Sequence, residues 1–234
     1  MDELKQLYTT IQIIMNDAKI SQSPIPIFSF EGLPGAGKTT QIKLVSEIFT
    51  KKYGKSYYID LPTRSPIGKI MKSLYSDEQN WNNVRKSAPW LNTIMVSTDL
   101  RLAVGKVVEE GGKYAFMSRG VLSTYYYNLD AYSNDEEKAW RIMEEHMRAF
   151  YRPTAIVFLD IPEKVAYERV VKRGRGPLRK MDEIDVMRKD KDRLKRYLRR
   201  MPEIPVHYID AIGTEQEITN RIINELEGYL ENYE

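Results

Sequence analysis

The chain has 234 residues, 42% of them hydrophobic and 29% charged, and carries a formal net charge of +3. This length suits one α/β domain with insertions, and no stretch approaches the roughly 18 consecutive apolar residues typical of a transmembrane helix. The absence of cysteine excludes disulfides, and His146 and His207 are too scattered to suggest a metal cluster. The first residues also lack a basic segment followed by an apolar run. We therefore expect a cytoplasmic protein that does not associate with membranes.

The first 24 residues form a segment of their own. Apolar residues recur at helical intervals from Leu4 to Met15, which predicts an amphipathic helix that serves packing or self-association. The segment Ser21 to Pro24 interrupts this pattern. We expect residues 1–24 to be a helix and linker, and residues 25–234 to be a single domain.

A glycine-rich motif follows the first predicted strand. Ile25 to Phe30 is a short apolar run of strand type, and Thr40 to Phe49 has apolar residues at helical spacing. Between them, the segment from Gly32 to Thr39 matches the P-loop pattern, in which backbone amides and a lysine surround phosphate oxygens. The order of strand, loop and helix is the one that this motif requires. The sequence therefore predicts a phosphate site at the N-terminus of the first helix.

Two further predicted strands are each followed by an arginine. Ser56 to Leu61 is a predicted strand, and the loop after it contains Arg64. Tyr114 to Met117 is another predicted strand, followed directly by Ser118 and Arg119. In an open α/β sheet, ligands bind beyond the carboxyl ends of the strands. We therefore expect both arginines to face the crevice of the phosphate loop, where an arginine can hold a second phosphate.

The remaining pattern predicts alternating helices and strands. Residues 76–90 lack clear periodicity and are interpreted as loop or short helices, in which Trp81 packs. The other predicted elements are a long helix at 91–110, helices at 139–150, 162–172, 182–200 and 218–230, and strands at 154–161 and 206–210. Thr214 and Glu217 have the spacing of a capping box for the last helix.

Positive charge is concentrated between Arg169 and Arg200. This segment holds fourteen Lys and Arg residues and five Asp and Glu residues, a local balance of +9, so the rest of the chain carries −6. Such a segment can bind nucleic acid, cover a phosphate-rich small ligand or form solvated helix faces. Apart from Tyr197, it lacks the interleaved aromatic residues that stack on bases. The pattern favours a small ligand over nucleic acid.

Several motifs together resemble the thymidylate kinase family. In chain order they are Phe30 to Gln41, Pro62 to Lys69, Arg101, Ser118 to Tyr127, Phe158 to Pro162 and Arg169 to Gly174. The resemblance covers roughly residues 25 to 230. It implies a doubly wound, five-stranded parallel sheet of the P-loop NTPase type, flanked by helices, with a helical lid at approximately 172–183. It also implies ATP and Mg²⁺ as cofactors, a deoxynucleoside monophosphate such as dTMP as acceptor, and a homodimer.

The resemblance further implies a role for each matching residue. The expected phosphate-donor site consists of P-loop residues: Gly32, Gly35, Ala36, Gly37, Lys38, Thr39 and Thr40. Within it, Lys38 is expected to stabilise the transferring phosphoryl group and Thr39 to hold Mg²⁺. The expected acceptor-binding residues are Arg64, Arg101, Arg119 and Tyr127. The expected catalytic residues are Lys38, Arg119 and the lid arginines Arg173 and Arg175.

The chain departs from the family pattern at three positions. Ser118 stands where these kinases usually have an aspartate, Pro34 where many carry a carboxylate, and Gly120 where an aromatic residue or histidine is usual. Gly35 is an arginine in some members, and members with glycine here take the catalytic arginine from the lid. The three departures concern the identity of the acceptor and the catalytic rate more than ATP binding.

Two alternative functions remain open. The segment from Met117 to Ser123 and the spacing of Tyr75 and Trp81 also resemble deoxynucleoside kinases, whose general-base glutamate after the second strand is missing here. Asp60 is the only nearby substitute. Ser118 and the basic segment suggest instead a catalytically weak nucleotide- or nucleic-acid-binding protein.

Overall fold

A computed structural model describes residues 22–118, 120, 122–123, 129, 135–147, 150–174, 176 and 178–231. Four of the predictions fall outside these residues: the amphipathic helix within residues 1–19, Arg119, Tyr127 and Arg175. In the described part of the chain, no helix combines the length and the apolar character that a bilayer crossing needs.

Five parallel strands form the central sheet. They are β1 (Ile27–Gly32), β2 (Ser56–Asp60), β3 (Tyr114–Ser118), β4 (Ala155–Asp160) and β5 (Val206–Asp210). Their order across the sheet is β2-β3-β1-β4-β5. Because the winding changes side at β1, the turn that follows this strand lies at the topological switch point, where α/β sheets bind ligands. The predicted doubly wound five-stranded sheet is confirmed.

Helices cover both faces of this sheet. They are α1 (Lys38–Lys52), α2 (Pro66–Ser76), α3 (Glu78–Ser87), α4 (Pro89–Glu109), α5 (Glu136–Met147), α6 (Glu163–Arg173), α7 (Ile184–Arg199) and α8 (Glu215–Glu231), with a 3₁₀ turn at Lys180–Asp182. The segment interpreted as loop or short helices forms α3 and the start of α4, and Trp81 packs there with its ring centroid 4.8 Å from that of Tyr75. The predicted capping box is confirmed, because Thr214 N donates to Glu217 Oε2 at 2.8 Å and Glu217 N donates to Thr214 Oγ1 at 3.3 Å.

Successive side chains along each strand point to opposite faces of the sheet, so the core consists of two layers. Phe28 and Phe30 of β1 pack with α1, α6 and α8, whereas Ile27 faces the layer that includes α2, α4 and α5. In the first layer, the Phe49 ring of α1 lies 5.9 Å from Phe28 and 4.9 Å from Phe116, centroid to centroid. Each fully buried aromatic side chain contributes roughly 1.5–3 kcal/mol of transfer free energy. This aromatic cluster therefore anchors α1, and with it the phosphate loop, to the centre of the sheet.

Ion pairs attach α7 to the carboxyl end of β4. Lys191 Nζ lies 2.8 Å from Asp160 Oδ1, and Lys195 Nζ lies 2.6 Å from Asp160 Oδ2. Burial acts to raise the pKa of Asp160, but hydrogen bonds and positive charge from the two lysines hold this pKa below its ordinary value. Two positive charges of the basic segment, Lys191 and Lys195, are therefore paired with a carboxylate of the sheet.

The basic segment also binds α5. Arg193 and Arg196 approach the Glu136 carboxylate at 2.8 and 3.2 Å, and Arg200 pairs with Glu137. Burial acts to raise the pKa of Glu136, yet the hydrogen bonds and charges of the two arginines lower it overall. These contacts join α5 to α7, so three carboxylates from outside the segment, Asp160, Glu136 and Glu137, balance part of its excess positive charge.

A buried carboxylate holds the loop that carries Arg64. Asp99 of α4 is 0% exposed and accepts hydrogen bonds from Thr63 N at 2.7 Å, Thr63 Oγ1 at 2.5 Å and Ser65 Oγ at 2.5 Å. Ser65 in turn caps α2, because its hydroxyl accepts from Gly68 N at 2.9 Å. The exposed Arg64 therefore extends from a loop whose neighbouring residues are fixed.

We expect Asp99→Ala to lower the free energy of unfolding by about 2–3 kcal/mol, because three hydrogen-bond donors lose their acceptor. Asp99→Asn should cost less, since its amide oxygen still accepts. Asp185→Ala is the control: this exposed carboxylate pairs with Arg188 at 3.1 Å, and its loss should change stability by less than about 0.5 kcal/mol. Urea unfolding followed by circular dichroism measures all three, and equal losses for Asp99→Ala and Asp185→Ala would contradict the prediction.

Candidate functional site

The turn between β1 and α1 presents backbone amides to one side. Ala36 N donates to the Leu33 carbonyl oxygen at 3.1 Å and closes the turn. Gly37 is the N-cap of α1, and no side chain caps the helix. The first-turn amides and the positive end of the helix dipole are therefore left for an anion.

The Lys38 side chain folds over this turn. Its Nζ donates to the Gly32 carbonyl oxygen at 2.7 Å and to the Leu33 carbonyl oxygen at 2.8 Å. These two bonds hold the ammonium group at the loop, so an arriving phosphate meets a positive charge that is already in position.

Helix α6 supports the turn from the opposite side at Gly35. This glycine has a φ of +82°, and a Cβ placed on it would lie 2.3 Å from the Ala166 carbonyl oxygen. Any side chain at position 35 would therefore collide with the α6 backbone. This contact gives a physical reason why an arginine at this position does not fit the chain.

A cavity of about 830 Å³ opens in front of the turn. It is lined by all seven residues predicted for the phosphate donor: Gly32, Gly35, Ala36, Gly37, Lys38, Thr39 and Thr40. Its volume is within the range of roughly 300–1,000 Å³ that is usual for ligand pockets. The lining also includes Arg169 and Arg179 of the basic segment, and four residues that the sequence did not assign to a site, namely Ser123, Gly213, Thr214 and Glu215.

Three arginines contribute positive charge to the lining of the cavity. Arg173, a predicted lid residue in the last turn of α6, lines the cavity together with Arg169 and Arg179. Arg169 Nη2 donates to the Ala211 carbonyl oxygen at 3.1 Å, which fixes its position. Arg179 bonds both carboxylate oxygens of Asp182 at 3.1 Å and thereby lowers the pKa of that carboxyl. A polyanionic ligand is therefore favoured in this cavity.

A buried glutamine of α1 bonds to the start of α8 beside the cavity. Gln41 is 2% exposed, and its Nε2 donates to the Glu215 carbonyl oxygen at 3.0 Å. Its Oε1 accepts from Thr219 Oγ1 at 2.8 Å. Because Gly213 to Glu215 line the cavity, this network sets the distance between the phosphate loop and the start of α8.

Hydroxyl groups gather beside Thr39. The Tyr58 hydroxyl lies 3.3 Å from Ser118 Oγ, and it also interacts with the Asp60 carboxylate and the Thr39 hydroxyl. Burial is the largest cause of the raised pKa of Tyr58, so this hydroxyl stays protonated at neutral pH and can donate. Ser118 and Asp60 are register partners on adjacent strands, which brings a carboxylate close to the position where the resembled family has an aspartate.

This donor set suits a magnesium ion that arrives with a nucleotide. Among the described residues, no group of three or more His, Cys, Asp or Glu side chains could hold a metal on its own. Mg²⁺ is usually bound by one or two protein oxygens together with substrate phosphates and water. The Thr39 hydroxyl at the cavity supplies an oxygen of this kind.

Glu31 is a buried carboxylate that sequence reasoning did not assign. It is 2% exposed and accepts hydrogen bonds from Ser123 Oγ at 2.9 Å, Gly120 N at 3.0 Å and Ser29 Oγ at 3.3 Å. Burial raises the pKa of this carboxyl, although the three donors and the charge of Lys38 act in the opposite direction. A glutamate inside an otherwise buried strand was an available signal, because Glu is almost never fully buried unless it is paired.

Two of the predicted acceptor residues, Arg64 and Arg101, fall within the described structure. Arg64 is exposed on the loop after β2, and neither Arg64 nor Arg101 belongs to the cavity lining. The Arg101 guanidinium lies 4.3 Å from the centroid of the Tyr151 ring, an arrangement typical of a cation–π contact. Arg119 and Tyr127 lie outside the described residues, so the acceptor half of the site stays a prediction.

Comparison with known proteins agrees with this fold. The family model described as thymidylate kinase matches residues 30–222. A probable thymidylate kinase from Thermococcus kodakarensis is 26% identical over 208 residues, which cover 86% of this chain and 96% of that protein. One from Sulfurisphaera tokodaii is 26% identical over 83% of this chain and 92% of its own length. A thymidylate kinase from Legionella pneumophila is 24% identical over 86% and 94%, respectively. With a family model that covers most of its length and a sheet of the expected order, the chain belongs to the thymidylate kinase family.

Proposed function

We propose that the chain is an ATP-dependent thymidylate kinase. It transfers the γ-phosphoryl group of ATP to a phosphate oxygen of dTMP, so that the bond from the γ-phosphorus to the bridging oxygen breaks and dTDP and ADP result. One observation carries this proposal: the Lys38 ammonium, the loop amides and three arginines line a single cavity of about 830 Å³. Family membership and the names of the relatives support dTMP as the acceptor.

In this proposal, the phosphate loop binds the donor. The amides at the start of α1 surround the β- and γ-phosphates, and Lys38 stabilises the oxygens of the transferring group. The Thr39 hydroxyl holds Mg²⁺, which neutralises charge on the phosphates when it is bound. Because Lys38 is already fixed by two carbonyl oxygens, little reorganisation is needed when the nucleotide binds.

The acceptor is bound by arginines that leave the neighbouring strands. Arg64 and Arg119 hold the phosphate of dTMP, and Arg101 and Tyr127 lie closer to its nucleoside. The fixed Thr63 and Ser65 on either side of Arg64 support this role, because a guanidinium that orients a phosphate needs a rigid base. This half of the site rests on the family pattern, residue by residue.

A lid at residues 172–183 completes the donor site. Arg173 and Arg175 neutralise charge on the transferring phosphoryl group, and closure excludes water that would otherwise accept it. Gly174 ends α6 in the left-handed conformation, with a φ of +58°, and Gly176 has a φ of +99°. The steric contact at Gly35, which excludes an arginine from the loop, supports a lid origin for the catalytic arginine.

Domain organisation and assembly are proposed on the same basis. Residues 25–234 form one kinase domain, residues 1–24 form an N-terminal extension, and the cytoplasmic chain is a homodimer. Light scattering coupled to size exclusion measures the oligomeric state, and a monomeric mass at micromolar concentration would rule the dimer out.

The two alternatives receive less support. For a deoxynucleoside kinase, Asp60 would have to act as the base, but it interacts with the Tyr58 hydroxyl. For a nucleic-acid-binding protein, the basic segment would have to present free charge. Five of its fourteen lysines and arginines instead pair with Asp160, Glu136 or Glu137.

Lys38→Ala is expected to lower kcat with Mg-ATP and dTMP by about 100- to 1,000-fold, because the transferring oxygens lose a fixed charge. Lys51→Ala, an exposed lysine in the last turn of the same helix, should leave kcat within about twofold. ADP formation in a coupled assay over a panel of nucleoside monophosphates measures both variants. Absence of turnover by the unmodified protein with every acceptor would refute the proposed function.

We expect Arg64→Ala to raise the KM for dTMP roughly 10- to 100-fold while leaving the KM for ATP unchanged, because a charge-assisted contact to the acceptor phosphate is lost. Arg188→Ala, which removes an exposed arginine paired with Asp185, is the matched control and should change neither constant. The unmodified protein should also prefer dTMP to thymidine by more than about 100-fold. Equal use of the two acceptors would favour a deoxynucleoside kinase instead.

A further inference from the structure

We propose that Glu31 is a positioning residue of the transfer reaction. It holds the segment after β3 against the end of β1, and so sets the distance between Lys38 and that segment. The inference deepens the proposed function and rests on it, because it assigns to Glu31 the junction between the donor and acceptor halves of the site.

The β1–β3 backbone pairing stops where Glu31 begins to act. The last register pair between these strands is Phe30 with Ser118. Beyond this pair, the Glu31 side chain bonds to the chain that follows β3. Its Oε1 accepts from Gly120 N at 3.0 Å, and its Oε2 accepts from Ser123 Oγ at 2.9 Å. The Glu31 carboxylate therefore keeps the chain after β3 bonded to the end of β1, where the hydrogen bonds between the two backbones have ended.

Burial of a carboxylate in this position costs free energy unless its oxygens accept hydrogen bonds. Glu31 is 2% exposed, and burial of a carboxylate is unfavourable unless hydrogen bonds and opposite charge compensate for the lost water. Both of its oxygens are engaged, and Lys38 provides the nearby positive charge. An apolar side chain could fill the same space, but it could not hold Gly120 N and Ser123 Oγ at once.

The close approach of Gly120 shows how tightly this segment is seated. A Cβ on Gly120 would lie 2.6 Å from Ser29 Oγ, 2.8 Å from the Met117 side chain and 3.4 Å from Glu31 Oε1. A side chain at position 120 would therefore displace Ser29, Met117 or the segment itself, which gives a physical reason for glycine where the family usually has a larger residue. The same contact brings the Gly120 amide within hydrogen-bond distance of Glu31.

The residues that Glu31 connects belong to the reaction site. Lys38 and Ser123 line the same cavity, as does Ser118 at the end of β3. Phosphoryl transfer depends mainly on positioning and charge, so a displacement of about 1 Å between donor and acceptor groups can cost on the order of 100-fold in rate. Arg119, the proposed acceptor arginine, lies in sequence between Ser118 and Gly120. Loss of the Glu31 bonds should therefore affect the acceptor more than the nucleotide.

The test compares Glu31→Ala with Glu31→Gln. Glutamine keeps an oxygen that accepts from Gly120 N and an amide nitrogen that can donate to Ser123 Oγ, so it preserves the geometry without the charge. We expect Glu31→Ala to raise the KM for dTMP and lower kcat by at least about 10-fold each, with the Kd for ADP within about threefold of the unmodified protein. In Glu31→Gln, the KM for dTMP and kcat should both be much closer to those of the unmodified protein than in Glu31→Ala. Ser29→Ala, which removes only the 3.3 Å bond, is the matched control and should stay within about twofold.

Amide hydrogen exchange at Gly120 provides a readout that does not depend on activity. Exchange at this amide should be at least about 10-fold faster in Glu31→Ala than in Glu31→Gln, because only the former loses the buried acceptor. If Glu31→Ala fails to fold, Gly120→Ala displaces the same segment with Glu31 intact. It should likewise raise the KM for dTMP, and Ser29→Ala in the same chain should partly restore it by removing the 2.6 Å contact.

The possible outcomes separate the two proposals. Equal defects in Glu31→Ala and Glu31→Gln would overturn the positioning role, because charge near Lys38 would then be what matters. Unchanged dTMP kinetics together with unchanged Gly120 exchange in Glu31→Ala would also overturn it. If the unmodified protein does not phosphorylate dTMP, the proposed function fails. The Gly120 exchange then still decides whether Glu31 holds the segment.

Discussion

The Lys38 ammonium, bonded to the carbonyl oxygens of Gly32 and Leu33, is the contact on which the rest of the site depends. It can form only if the turn after β1 keeps one shape. The strand before the turn lies in the middle of the sheet, and the helix after it is fixed by the Phe49 ring cluster. Helix α6 closes the third side, where the Ala166 carbonyl leaves room only for a glycine. The phosphate loop is therefore held by β1, by α1 and by α6.

Two buried carboxylates extend this rigidity to the neighbouring strand ends. Asp99 fixes the loop after β2 through Thr63 and Ser65, and Glu31 fixes the segment after β3 through Gly120 and Ser123. Parallel strands end in loops whose backbone groups no longer have ladder partners. In both places an acidic side chain from an adjacent element provides the missing acceptor. The fold thus uses buried charge for positioning, at a desolvation cost that several hydrogen bonds offset.

Ion pairs determine which positive charges of the basic segment remain at the cavity. The basic segment has a large excess of positive charge in the sequence. In the fold, four basic residues of α7 form ion pairs with Asp160 and with Glu136 of α5. Arg169, Arg173 and Arg179 instead line the cavity. A phosphate ligand therefore meets a few positioned guanidinium groups rather than a diffuse cationic surface, which suits a small polyanion better than an extended nucleic acid.

The phosphate loop, the five strands and the principal helices could be predicted from the sequence, because hydrophobic periodicity and glycine spacing are local properties of the chain. Motif order was also enough to identify the family. Only the tertiary structure showed what Glu31, Asp99 and Gln41 do, since each acts on residues distant in the chain whose proximity depends on strand order and helix packing. The same reason explains the basic segment: charge can be counted along a sequence, but the carboxylates that balance it come from other elements. Local pattern determined the elements and the loop, and packing between distant elements decided which polar groups face the cavity and which are used to build it.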